Sequence, residues 1–267
     1  MTKVYLYALI PTHETNVKKL PEVKGFDDKN ALYTLPLEDI TAIVSDLDGD
    51  EFTEENIKEK VNNDMPWLQD KALHHHKVLT RLHQDYTIIP LKFCTIYNNV
   101  GSLKESVASQ KDKIEESFRL VKGNEEWNIK IYCDEDALKE RVSGNSPHIE
   151  EKKKEMEKLP KGRQFFEKKK IDQLIEKEIE KEQDRQCEHV HQKFSLFAMD
   201  SDIKKNLGKD VTGLKENMSW NSVYLVPKDK VAAFLDTVNV KEKEMEPAGF
   251  RINATGPWPA YHFSSFS

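Results

Sequence analysis

Apolar positions along this chain recur sometimes at every second residue and sometimes at every third or fourth, and the switches between these periods outline its elements. Val4 to Ile10 is apolar throughout, as a central strand covered on both faces would be, and Pro11 ends it. Short strands are expected over residues 31–35 and 40–45, with Pro36 and Glu38-Asp39 turning the chain between them. Thr53 caps a helix with Glu54 and Glu55 in its first turn and Ile57 and Val61 facing inward. Pro66 opens another helix that runs to about Gln84, where Leu68, Ala72, His75, Leu79 and Leu82 form one stripe. Residues 86–97 are rich in β-formers, with Ile89, Leu91, Phe93 and Tyr97 sharing a side and Pro90 marking a sheet edge or a bulge. Ser102 and Glu105 give a capping pattern for a single helix carrying Leu103, Val107, Ile114, Phe118 and Val121.

Gly123-Asn124 is a turn and a domain boundary, so the expected domains are 1–124 and 125–267. Trp127, Ile129, Ile131 and Cys133 alternate with polar residues and Tyr132, which predicts a half-buried strand. A helical stretch follows from about Asp134, then a weak region over residues 143–147. The charge-dense Glu150 to Lys158 reads as a solvated helix or a mobile insertion. A long helix is predicted over about 163–194, with Ile171, Leu174, Ile175, Ile179, Cys187, Val190 and Phe194 as its buried stripe. Residues 204–216 read as a loop, 220–226 as a strand, 228–238 as a helix, and Phe250, Ile252 and Ala254 as a final strand. The fold class is therefore α+β. Each domain is a small, largely antiparallel sheet with helices packed on it, the first a ferredoxin-like variant with one sheet face covered, the second built around the long helix.

The final strand leads into Gly256-Pro257-Trp258-Pro259-Ala260-Tyr261-His262-Phe263. Two prolines make this a stiff rod with two missing N–H donors, either an edge strand or a docked tail. Trp258, Tyr261 and Phe263 need a groove, supplied by this chain or by a partner, and Tyr261 and Phe263 would share a face of an extended segment.

Charge narrows the possibilities. Forty-one Lys and Arg against 47 Asp and Glu give −6, so no overall basic field draws nucleic acid or an anionic membrane. Cys94, Cys133 and Cys187 are far apart and form no C-x-x-C pair, the usage of a reducing cytoplasm. The N-terminal apolar run is interrupted by tyrosines and reads as a strand, and no window is long and apolar enough to span a bilayer. The alternating aspartates of Asp46 to Asp50 suggest a calcium loop, but Glu51 and Ile57 stand where that loop needs glycine and glutamate. His74, His75 and His76 project about 100° apart on a helix and cannot converge on one metal; the expectation is a hydrogen-bonded His75 in the core between two solvated neighbours. Cys187 and His191, with His189 nearby, are one turn apart and lack two further ligands, and packing explains Cys187 equally well. No phosphate-cradling glycine loop, nucleophile elbow or H-e-x-x-H helix occurs, so no catalytic residue, cofactor or metal is assigned.

Several stretches together resemble the gas vesicle protein F/L family (GvpF/GvpL). They are Val4–Ile10 with Pro11, His75-His76-Lys77-Val78-Leu79 leading to Ile89-Pro90-Leu91-Lys92-Phe93, the strand Glu126 to Tyr132, Lys161-Gly162-Arg163 before the long helix, and the terminal Gly256 to Phe263. They lie in the family's order from residue 4 to 263. Cys94 stands where the family usually has glycine, Ala260 where it often has proline, and the charged stretch 143–158 is longer than the resemblance leads one to expect.

The resemblance implies a two-domain accessory protein of gas vesicles, located at the vesicle and in the cytoplasm, partnering the small shell protein and other accessory proteins. A wall that excludes water needs small, strongly hydrophobic tiles. This chain is 33% charged and is no such tile. An adaptor, nucleator or chaperone for the tile is the remaining role, and it calls for exposed apolar edges. The candidate interaction or packing residues are His75, Pro90, Phe93, Trp127, Pro257, Trp258, Pro259, Tyr261 and Phe263. The competing reading is an α+β enzyme or small-ligand binder with His75, Tyr86 and Trp258 around a pocket. An RNA-binding sheet would need paired aromatics beside basic residues, which Lys3, Tyr5 and Tyr7 match poorly.

Overall fold

A computed structural model describes residues 2–15, 17–145 and 147–264; Ser146 of the weak region lies outside them. The contacts resolve two compact units. One holds the described residues up to Glu126 together with those from Pro257 onward, and the other is Trp127–Gly256. The division lies two residues beyond the sequence boundary at 124, and the terminal stretch, expected with the second domain, groups with the first unit.

The first unit begins with β1 (Thr2–Pro11) and the single turn α1 (Thr12–Thr15), followed by the hairpin β2 (Tyr33–Leu37) and β3 (Ile40–Asp48). Helices α2 (Glu54–Asn63) and α3 (Met65–Asp85) lead to the short strands β4 (Ile89–Pro90) and β5 (Ile96–Tyr97), then α4 (Val100–Ser109) and α5 (Lys111–Val121). The sheet order is β2-β3-β1-β4, antiparallel, with β5 also on β1. This is the order of a ferredoxin-like unit whose first helix has shrunk to one turn.

β1 is central because it has no polar face to offer water. Val4 to Ile10 are all at most 1% exposed. A bulge between Leu6 and Ala8 shifts the register. It sends Tyr5, Tyr7, Ala8 and Ile10 into one cluster with Val78, Leu79 and Leu82 of α3, while Val4, Leu6 and Leu9 join Leu103, Val107 and Ile114 of α4 and α5. Helices thus cover both faces of this sheet, not one.

Local chemistry sets the boundaries. Thr53 Oγ1 accepts the Asn56 N–H at 3.1 Å and starts α2, and Asp64 Oδ1 accepts the Trp67 N–H at 3.0 Å beside Pro66 to start α3. Pro36, expected in the turn, lies inside β2; that strand is at the sheet's edge, where a missing N–H is tolerated, and the turn is Glu38-Asp39 alone, with Glu38 at φ 60°. The single helix expected after Ser102 breaks at Gln110 into two. Its cap is Asn99, whose side chain accepts the Ser102 N–H at 2.9 Å, with Ser102 Oγ answering in the third helical position. Phe93 turns away from Ile89 and Leu91 into the cluster on the α3 side, because residues 91–95 form a turn rather than a continuous strand. At that turn Cys94 takes φ 62°, a conformation that glycine enters without a Cβ penalty.

The second unit's sheet starts with β6 (Asn124–Cys133). The helices α6 (Glu135–Asn145), α7 (Pro147–Glu157) and α8 (Lys161–Ser195) follow, then β7 (Asp200–Ile203), the turn of helix α9 (Lys209–Thr212), β8 (Asn217–Pro227), α10 (Val231–Met245) and β9 (Phe250–Trp258). The sheet order is β7-β8-β6-β9, the same ferredoxin-like order. One cluster fills this unit: Ile129 and Ile131 of β6, Tyr224 and Val226 of β8, and Phe250 and Ile252 of β9, under the α8 stripe from Ile171 to Phe194 and Phe234 and Val238 of α10. The charged run 150–158 forms α7, anchored by the fully buried Ile149 and by Met156 packed on the same core.

Candidate interaction site

His75 is the centre of a buried relay. The Cys94 N–H donates to the Tyr5 hydroxyl at 3.2 Å, the hydroxyl lies 2.8 Å from His75 Nδ1, and His75 Nε2 lies 3.1 Å from the Leu91 carbonyl. The tautomer that satisfies all partners carries its proton on Nε2, donating to Leu91. Burial pushes the imidazole down to about 4, so it stays neutral, and the rings of Tyr7 and Phe93 pack against it. Tyr5 and Tyr7 are fully buried and offer no base-stacking surface. The neighbouring histidines, expected to be solvated, are half-buried and bonded: His74 Nε2 to the Tyr7 hydroxyl at 3.1 Å, His76 Nδ1 to the Tyr261 hydroxyl at 3.0 Å.

The His76 contact docks the terminal stretch within the first unit. The Trp258 ring lies 5.4 Å from the His76 ring and Tyr261 stacks on it at 6.2 Å. Glu126, whose side chain is fully buried, accepts the His262 N–H at 2.9 Å and meets His262 Nδ1 at 2.6 Å. After Pro259 the chain coils, with the Ser264 N–H donating to the Ala260 carbonyl, so Tyr261 and Phe263 do not lie on one face of a strand. The groove sought by this aromatic segment is supplied by the chain itself.

Of the other residues singled out, Pro90 is buried in β4 against Ala8, and Trp127 lies in the core of the second unit. Pro259 is buried, Phe263 and Trp258 are half-buried, and Pro257 and Tyr261 are exposed. The sheet edge at Pro90 therefore presents no open apolar surface. Cys187 is buried in the core, its thiol pushed up to about 12 by burial, while His191 Nδ1 lies 2.7 Å from the Tyr224 hydroxyl. Among the described residues no cluster of three or more His, Cys, Asp or Glu is placed to hold a metal ion.

The open apolar surface is elsewhere. Leu196 is 80% exposed, Met199 64% and Ile203 52%, in β7 or in the few residues before it, and Val211 of α9 is 65% exposed. β7 ends its sheet: it pairs β8 on one side, extended at both ends by Met199 N–H to the Leu225 carbonyl and Lys204 N–H to the Asn221 carbonyl. Among the described residues no strand lies on its other side, so it presents a row of backbone donors and acceptors beside exposed apolar side chains. Asp200 and Asp202 on the strand are the charges that keep such an edge from aggregating. No periodic signal marks this strand, because Asp200-Ser201-Asp202-Ile203 is short and mostly polar. Buried charges were equally hidden, among them Lys71, which pairs with Asp28 over the Phe26 ring, and Glu126.

A family model described as gas vesicle synthesis protein GvpL/GvpF matches residues 3–265. A protein named gas vesicle protein L from a Streptomyces species is 21% identical over 229 residues, covering 86% of this chain and 81% of that protein. Gas vesicle protein L of Haloferax mediterranei is 22% identical over 249 residues, covering 90% and 72%. The crystal structure of gas vesicle protein GvpF from Anabaena superposes with a TM-score of 0.76 at 18% identity over the whole of both chains. That of GvpF from Microcystis aeruginosa gives 0.67 at 17% identity, covering 98% of this chain and 99% of that one. These two likenesses show the fold.

Proposed function

Since the chain belongs to the gas vesicle synthesis protein GvpL/GvpF family, we propose that it is a non-enzymatic accessory protein that binds the small hydrophobic shell protein, with other accessory proteins, while vesicles nucleate and grow. The observation that carries this reading is the open edge of β7 with exposed Leu196, Met199 and Ile203 in or close to that strand. An apolar segment adding as a strand to that edge would satisfy its backbone groups and cover those side chains together. Among the strongly perturbed groups, Tyr5, His75 and Cys187 are buried and burial is the first cause of each shift, as expected of packed rather than reactive side chains. No helix among the described residues is long and apolar enough to cross a membrane.

The test is capture of shell protein by tagged full-length chain in a cell that makes vesicles, together with flotation of washed vesicles. The reading expects this chain to travel with the vesicle fraction or its precursors, and Leu196→Asp with Ile203→Asp to lower capture at least ten-fold. Undiminished capture by that variant, or vesicles that form normally without the chain, would reject it.

A further inference from the structure

The first ten residues of α8 form no part of the core. The buried stripe of that helix starts at Ile171, and within 161–170 only Gln164 and Glu167 are even half-buried. Yet this stretch carries Phe165 and Phe166, 71% and 67% exposed. They are the two exposed phenylalanines among the described residues. Each is bracketed by cations about one turn away. Lys161 and Lys169 stand four residues either side of Phe165, Arg163 and Lys169 three residues either side of Phe166, and Lys168 follows close by. Among the described residues no carboxylate lies within ion-pair reach of Lys161, Arg163, Lys168 or Lys169; Lys170 is paired with Glu167.

The surroundings sharpen the contrast. Residues 150–170 hold nine Lys and Arg against five Glu, a net of +4 in a chain of −6, which leaves −10 for the rest. The turn from α7 into α8 is also pinned. The Gln164 side chain donates to the carbonyls of Leu159 and Glu157 at 2.8 and 3.3 Å, and the Arg163 N–H donates to the Pro160 carbonyl at 2.8 Å. Two aromatic anchors are thus displayed on a fixed tip inside a ring of unpaired cations, the arrangement of an interaction hot spot.

We propose that this α7–α8 tip docks an acidic helix of a partner protein, whose apolar side chains cover Phe165 and Phe166 and whose carboxylates meet Lys161, Arg163, Lys168 and Lys169. The charge pattern selects this occupant. A membrane surface or a nucleic-acid backbone favours an uninterrupted basic face, and five glutamates interrupt this one. A helix with its own mixed charges tolerates them and pairs with the excess cations. This surface shares no residue with the β7 edge, so the inference does not rest on the shell-protein reading.

The experiment places p-benzoylphenylalanine at position 165 or 166 of the full chain in vesicle-producing cells and identifies the crosslinked material by mass spectrometry. The expected product is a peptide of net negative charge with apolar residues at three- and four-residue spacing. Its yield should fall at least ten-fold when Lys161→Glu, Arg163→Glu, Lys168→Glu and Lys169→Glu are combined, with the thermal midpoint unchanged. A crosslink to lipid, nucleic acid or a basic peptide, a yield indifferent to charge reversal, or no crosslink would overturn the proposal. The double variant Phe165→Ser with Phe166→Ser should still capture shell protein, which separates failure here from failure of the β7 reading.

Discussion

The two units run the same strand order but fill the first crossover differently. Between β1 and β2 the first unit has the one-turn α1, whereas between β6 and β7 the second inserts α6, α7 and the 35-residue α8. The first unit places apolar side chains on both faces of its sheet, its buried His75 is bonded to Tyr5, and its terminal tail is bonded to His76. The second gathers one large cluster and leaves Phe165, Phe166, Leu196, Met199, Ile203 and Val211 in water. The first unit also exposes Val17, Met65 and Leu73, but its sheet faces and tail are committed, while the second keeps a long insertion and an open edge strand. On the proposed reading, contact falls to the second unit.

Breaking the second core tests its half of that contrast most severely. Phe194→Ala removes a fully buried ring packed on Phe234 and Tyr224 and should cost about 4 kcal/mol, read as lost hydrogen-exchange protection in β6 and β8. Acid tests the first unit. His75 is held down to about 4 against an ordinary value near 6.5, so between these pH values the unfolded chain binds more protons than the folded one. Stability is complete above about pH 6.5 and falls by roughly 3 kcal/mol as pH drops through 4, and His75→Gln should flatten that slope in denaturant titrations.

His262→Ala removes the ring partner of the buried Glu126 carboxylate and should cost about 1–3 kcal/mol, with a change in tryptophan emission as Trp258 leaves His76. At the strained turn, Cys94→Gly should fall within about 1 kcal/mol of the parent, because relief of the left-handed conformation offsets glycine's entropy, whereas β-branched Cys94→Val should cost about 2 kcal/mol. Thermal melts of the pair check this.

Much of the fold was legible because periodicity reports burial. The all-apolar β1, the alternation of β6, the α3 stripe through His75 and the α8 stripe from Ile171 all stood in the sequence. So did the Thr53 cap. The candidate site was not legible. Pro90, Phe93 and the terminal aromatics were singled out as stiff and apolar, but stiffness does not tell whether a groove is supplied from within, and here His76 and Glu126 supply it. The exposed residues around β7 carry no period, and Phe165 and Phe166 precede the first residue of the stripe read for the long helix, Ile171, in a stretch rich in charge. Exposure of an apolar side chain depends on what fails to pack on it, and no local pattern records that.

The claim that contact belongs to the second unit is tested most directly by placing a photo-crosslinker at Ile203 and, in parallel, at Leu73, an exposed apolar residue on α3 of the first unit. In vesicle-producing cells the account predicts shell-protein adducts from position 203 and none from 73. Adducts from 73 with none from 203 would contradict it.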